Sequence, residues 1–242
     1  MTTSRSTVDH NGIRIVERTT ARTARFATLG AEPEQAARIW FVLHGYGQLA
    51  ARFLRPFVGV VPDDVCVVAP EALSRFYLEA PRADGAHLQR IGASWLTREA
   101  REREIADAIQ WLDLVHEEVM GRSQNARRTS PVTGVLAFSQ GVATAMRWMV
   151  HGAVRPSHVV LWAGGLANDV DTALLRARLS QTTLTLVAGA NDHFATPEVR
   201  ARVAAESRSW HDHPVEIEFD GTHQLDAGVL QSVIAALAAR RG

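Results

Sequence analysis

The chain has 242 residues, 46% of them hydrophobic, with 26 basic residues balancing 26 acidic ones. That is enough to bury one sizeable core, so one α/β domain over residues 1–242 is expected, and the zero net charge offers no basic face to a nucleic acid. No apolar run approaches the ~18 residues of a membrane span, the polar start MTTSRSTVDHNG lacks the apolar stretch of a signal peptide, and a single cysteine, Cys66, fits a reducing cytoplasm.

In chain order, residues 13–16 and 23–27 read as early strands that pair as a hairpin. Residues 39–43 (IWFVL) are a continuous apolar run ending at His44-Gly45, and residues 48–59 follow as a helix. The next strand is 65–68, stopped by Pro70. Residues 71–97 keep no clean period, are punctuated by Pro81, Gly85 and Gly92, and carry Phe76, Tyr77 and Trp95. A stretch of this length without regular structure is usually functional. A helix is expected over 98–120, apolar at Ile105, Ile109, Leu112, Val115 and Val119 and stopped by Gly121, followed by a polar loop over 122–130. The remaining elements are a strand at 132–138, a helix at 141–151, a strand at 159–162, a helix at 169–179 and a strand at 184–188. Pro197 then opens a helix to about residue 210, an alternating strand occupies 215–219, and an amphipathic helix closes the chain over 227–240. Alternating β and α elements with continuously apolar strands imply a mostly parallel sheet with helices on both faces. Ligands of such sheets bind beyond the carboxyl ends of the strands.

Those ends carry the chemistry. Ser139, in LAFSQGV, follows a strand and precedes a helix, the context of a tight turn that lifts a serine hydroxyl above the sheet. The strand and helix backbones crowd there, so small residues are needed two places either side. Gly141 meets this need, and Ala137 stands where the usual pattern has glycine. A serine hydroxyl also needs a base, and the base an orienting carboxylate. Asp192, in GANDHF, and His223, in DGTHQL, follow the next strands in the order Ser, Asp, His. Asp169 and Asp171 compete for the acid. His44-Gly-Tyr-Gly47 would aim the Tyr46 N–H at the site, forming with the Gln140 N–H an oxyanion hole.

LHGYGQ, AFSQG, GANDHFATPE and the final GTH resemble the phospholipase/carboxylesterase branch of the α/β-hydrolases, which includes acyl-protein thioesterases. The resemblance runs from about residue 39 to the C-terminus. It implies an α/β-hydrolase fold with little or no cap domain, a Ser139–Asp192–His223 triad, and action on a small-molecule ester or thioester without metal or organic cofactor. Trp95, in ASWL, resembles the family's tryptophan-bearing loop, and Trp95, Phe76, Tyr77, His44 and Gly45 are the expected pocket residues; Trp95, Phe76 and Tyr77 read equally as core under a long loop, and His44 as a prop of its turn through hydrogen bonds. Departures are Ala137, Val142 in place of a second glycine, and the charged loop PRADGAHLQR, which bears on substrate preference. An exposed apolar sheet edge would support a homodimer.

Each residue also has a plainer reading. Ser139 can be an ordinary helix N-cap, Asp192 a turn residue, and His193 an exposed neighbour of the acid. His211-Asp-His213 has a metal-like look but no further clustered ligands, so a solvated loop is expected. Fold alone never settles function: a non-hydrolytic binder on the same scaffold, or an acyltransferase or peptidase using the same triad, stand beside the esterase.

Overall fold

The computed structural model describes residues 6–8, 12–79, 90–126 and 130–237. Among them, seven strands form the central sheet: β3 (Phe26–Gly30), β4 (Arg38–Leu43), β5 (Val65–Pro70), β8 (Val132–Phe138), β9 (His158–Trp162), β10 (Thr183–Gly189) and β11 (Val215–Phe219). Their order across the sheet is β11-β10-β9-β8-β4-β5-β3. All neighbours are parallel except β3, which runs antiparallel to β5.

The sequence dictates this burial. Residues of β4, β5 and β8 are almost wholly buried, as their unbroken apolar runs require when helices cover both faces. Alternate residues feed two cores. Ile39, Phe41, Cys66, Val68, Val135 and Leu161 pack with α2 (Arg101–Ala126), α3 (Gln140–His151) and α4 (Thr172–Leu179) on one face. Trp40, Val42, Val67, Leu136 and Trp162 pack on the other with α1 (Ala50–Phe53) and α6 (Ala227–Ala236). Burial pushes the Cys66 thiol up to about 12, so it is an inert core side chain. α5 (Pro197–Arg208) connects β10 to β11.

The strand order sets the site. The chain winds outward through β4 and β5, then returns to place β8 on the other side of β4. The crevice beyond the carboxyl ends of β4 and β8 is therefore the point where winding reverses, where doubly wound sheets bind ligands. The turns at His44–Gln48 and at Ser139 both lie there.

Several elements differ from expectation. The early hairpin does not form: β2 (Arg14–Val16) pairs with β1 (Ser6–Val8), and β3 joins the central sheet. The helix expected over 48–59 shrinks to α1 and a 3₁₀ turn at Arg55–Phe57, because Pro56 brings no N–H to continue the α-helical ladder. Residues 71–97 are not structureless. β6 (Ser74–Tyr77) and β7 (Ile91–Ser94) form an antiparallel pair, while most of PRADGAHLQR lies outside the described residues. Gly121 does not stop α2, which continues to Ala126. A helical glycine costs only about 1 kcal/mol relative to alanine, and the added turns place Arg122 against Glu34 (2.8 Å) and Glu32 (3.0 Å). No helix among the described residues is long and apolar enough to cross a membrane.

His158, buried at the start of β9, has Nε2 2.9 Å from Thr185 Oγ1 and its ring against Trp40. Burial pushes its pKa down to about 4, against about 6.5 in an unfolded chain. Between those values the unfolded chain holds a proton that the fold must exclude. Stability is therefore full above pH 6.5 and is lost as pH falls toward 4, by roughly 3 kcal/mol from this group. Urea unfolding at pH 7, 5.5 and 4 should show this fall, and His158→Gln should flatten it; equal slopes would contradict the assignment.

Candidate active site

Ser139 sits at the junction of β8 and α3 with φ 53° and ψ −119°, a sparsely populated conformation for a side chain and a store of strain. The surroundings hold it there. Its N–H donates to the Trp162 carbonyl at 2.9 Å, and its carbonyl accepts from Val142 N–H at 3.0 Å. A Cβ built on Gly141 would lie 2.6 Å from the Leu43 carbonyl oxygen and 2.8 Å from that of His44. Only glycine lets α3 start this close to the end of β4.

The loops after β10 and β11 meet this turn. Asn191 N–H donates to the Gly221 carbonyl (2.9 Å), and Ala190 N–H to that of Phe219 (2.8 Å). A Cβ on Gly189 would come within 2.4 Å of the Gly221 oxygen. Trp162 Nε1–H, donating to the Gln224 carbonyl at 3.0 Å, ties the His223 loop to β9.

These loops bring Ser139, Asp192 and His223 together. His223 Nδ1 is 2.7 Å from Asp192 Oδ2, and His223 Nε2 is 2.9 Å from Ser139 Oγ. Asp192 is buried, and its Oδ1 accepts from the N–H groups of Phe194 (2.8 Å) and Ala195 (3.0 Å). Burial alone would raise its pKa; the hydrogen bonds from His223, Ala195 and Phe194 outweigh that and hold it below the usual carboxylate range. An ionised Asp192 can only accept, so Nδ1 carries the imidazole proton and Nε2 is left to accept from the serine hydroxyl. The imidazole is flanked by Phe138 at 4.8 Å and Phe194 at 4.9 Å between ring centroids.

The competing acids are engaged elsewhere. Asp169 pairs with Arg147 and Arg101, and Asp171 caps α4 by accepting from Ala173 and Leu174 N–H groups. His193 is exposed. His211 and Asp212 contact the Thr182 carbonyl and Arg176, and among the described residues no three His, Cys, Asp or Glu side chains cluster as metal ligands would.

The His44–Gly47 turn is built from two sides. Gly45 N–H donates to Gln48 Oε1 (2.8 Å), and Gly47 N–H to the Ala93 carbonyl of β7 (2.9 Å). The Tyr46 N–H has no hydrogen-bond partner among the described residues. Neither has the Gln140 N–H, which opens α3 and so lacks an intrahelical acceptor. The Gln140 side chain reaches the other way: its Oε1 accepts from Trp95 N–H (3.1 Å), and its Nε2 donates to the Leu96 carbonyl (3.1 Å) and Ser94 Oγ (3.0 Å).

A cavity of about 490 Å³ opens over Ser139 and His223, with Tyr46, Leu96, Arg147 and Phe194 among its walls. None of the five residues expected from sequence to form the pocket is among those that line that cavity. His44 is fully buried: Nδ1–H donates to the Gly45 carbonyl, Nε2 accepts from Ala72 N–H, and burial lowers its pKa against the opposing Gly45 carbonyl and Glu71 charge. Trp95 is buried against it, its Nε1–H donating to the His44 carbonyl (2.8 Å). Gly45 packs beneath Ser139, Phe76 backs the Tyr46 ring, and Tyr77 is 67% exposed. Leu96, Phe194 and Arg147 also line the cavity, and the sequence marks neither Leu96 nor Phe194. Arg147 alone left a signal, a lone cation in the apolar run VATAMRWMV.

The doubly covered, mostly parallel sheet and the strand–turn–helix at Ser139 define an α/β-hydrolase fold. No protein-family model matches the sequence, and no curated protein matches it. Solved structures with the same fold include acyl-protein thioesterase 2 of Zea mays, at 15% identity and TM-score 0.62 over 89% of this chain and 98% of that one. A carboxylesterase from Mesorhizobium loti aligns at 18% identity and TM-score 0.63, covering 88% and 94%. One from Bacillus cereus aligns at 14% and 0.60, covering 88% and 93%.

Glycine at position 139 should relieve this backbone strain. Ser139→Gly should unfold at higher urea than Ser139→Ala, by about 1 kcal/mol, the relief exceeding the entropy cost of glycine. An alanine variant of equal or greater stability would show that the turn stores no strain.

Proposed function

We propose that the chain is a serine hydrolase that cleaves carboxylic esters, with thioesters as the related class, through an acyl-enzyme on Ser139. The observation that carries this reading is the hydrogen-bonded run Asp192–His223–Ser139, set where the sheet's winding reverses and ending on a serine at positive φ. The names borne by the fold neighbours, thioesterase and carboxylesterase, agree with it.

In this reaction His223 Nε2 takes the hydroxyl proton as Ser139 Oγ attacks the acyl carbonyl carbon. The carbonyl electron pair moves onto oxygen, between the N–H groups of Tyr46 and Gln140. Donors aimed in advance at that charge contribute roughly 3 kcal/mol each in a water-poor site. Asp192 fixes the tautomer and stabilises the imidazolium. As the tetrahedral intermediate collapses, Nε2 gives its proton to the leaving alcohol or thiol. Water then repeats the sequence, with His223 as base, and releases the acid. Every proton in this scheme is carried by the chain's own residues and water.

The test is a p-nitrophenyl ester series from acetyl to palmitoyl. Wild type should turn over, Ser139→Ala should fall to background, and Asp192→Asn should lose about 10⁴-fold in kcat with the fold intact. Absence of turnover by folded wild type along the whole series would move the weight to a binding role.

A further inference from the structure

The Tyr46 and Gln140 N–H groups belong to separate elements, the turn after β4 and the start of α3. Both elements are fastened to one short strand, β7, and to the two residues that follow it.

The turn is held on each side of Tyr46. Trp95 Nε1–H donates to the His44 carbonyl (2.8 Å). Gly47 N–H donates to the Ala93 carbonyl (2.9 Å), and Ala93 N–H to the Gln48 carbonyl (3.2 Å). A Cβ built on Gly92 would lie 2.4 Å from the Gly47 carbonyl oxygen, so β7 runs directly against the turn's backbone. On the other side, the Gln140 side chain holds α3 to Trp95 N–H (3.1 Å), the Leu96 carbonyl (3.1 Å) and Ser94 Oγ (3.0 Å). An amide carries an acceptor and a donor group, the complement of a backbone N–H and C=O. A carboxylate would lack the donor.

Trp95 is where the two fastenings cross. Its backbone N–H bonds to α3, and its indole N–H bonds to the turn. The side chain is buried against His44 and is not among the residues that line the cavity. Packing alone would be met by phenylalanine. The indole N–H adds a donor for the carbonyl of the fully buried His44, and a buried carbonyl that loses its donor is costly.

We propose that Trp95 and the Gln140 side chain are positioning residues that act through β7 to fix the Tyr46 and Gln140 N–H groups relative to each other. The effect on rate rests on the serine-hydrolase reading, whereas the mechanical link is testable without turnover. Two donors that serve one oxyanion must converge on one oxygen, and a misplacement of about 1 Å can cost on the order of 100-fold in rate.

The experiment uses Trp95→Phe, which keeps an aromatic ring and removes the N–H, and Gln140→Met, which keeps the length and removes the amide. With p-nitrophenyl butyrate, each should lower kcat about 10- to 100-fold with KM within about twofold, because the oxyanion forms only in the transition state. The links act in series, so the double variant should fall no more than about threefold below the worse single one. Amide hydrogen exchange followed by NMR reads the link itself. In Gln140→Met the Gly47 N–H, bonded to the far side of β7, should exchange at least about tenfold faster than in wild type, with the amides of β8 unchanged. Faster Gly47 exchange without ester turnover by wild type would keep the link and remove the esterase reading. Unchanged Gly47 exchange, a KM that rises while kcat holds, or single losses that multiply in the double variant would overturn the inference. If Gln140→Met fails to fold, the kcat and KM of Trp95→Phe decide alone.

Discussion

Everything at the site hangs on how closely α3 begins against the end of β4. Gly141 has no room for a methyl group beside the Leu43 and His44 carbonyls, so the chain reverses from strand to helix through a single residue, Ser139, at positive φ. That reversal raises the hydroxyl above the sheet and leaves the first N–H of α3 without an intrahelical partner. It also aims the Gln140 side chain at residues 94–96 and sets Arg147 two turns along the same helical stripe. One steric constraint thus places the Ser139 hydroxyl, an unpartnered N–H, a loop clamp and a cavity-wall cation.

The second constraint is the lacing of the loops after β10 and β11. With Asn191 bonded to Gly221 and Gly189 nearly touching that same backbone, the carboxylate of Asp192 and the ring of His223 have little freedom to part. Phe138 and Phe194 both pack against the ring. Two short loops separated by a whole helix in sequence therefore behave as one support for the imidazole, and the low pKa of Asp192 follows from the hydrogen bonds that this support supplies.

What was legible in the sequence is what is local. The runs IWFVL, VCVV and VTGVLAF announce buried parallel strands because their apolar character needs no partner to be read. The Ser, Asp, His order was legible because each residue follows its own strand. The cavity was not. Trp95 and His44 look like pocket residues by type and position, yet they pack on each other beneath the turn, a contact that depends on β7 joining the His44–Gly47 turn. Phe194 and Leu96 reach the cavity only because distant loops fold over it. The β6–β7 pair was missed because its strands are four residues each, too short to show a period. Gly121 misled because one glycine cannot stop a helix whose next turn is held by Arg122.

The most direct measurement is covalent labelling with a fluorophosphonate, which reacts only with a serine hydroxyl activated by a neighbouring base. The account predicts one label per chain, located on Ser139 by peptide mass spectrometry and lost in His223→Ala. A folded wild-type chain that stays unlabelled, or one labelled equally in the His223→Ala variant, would contradict it.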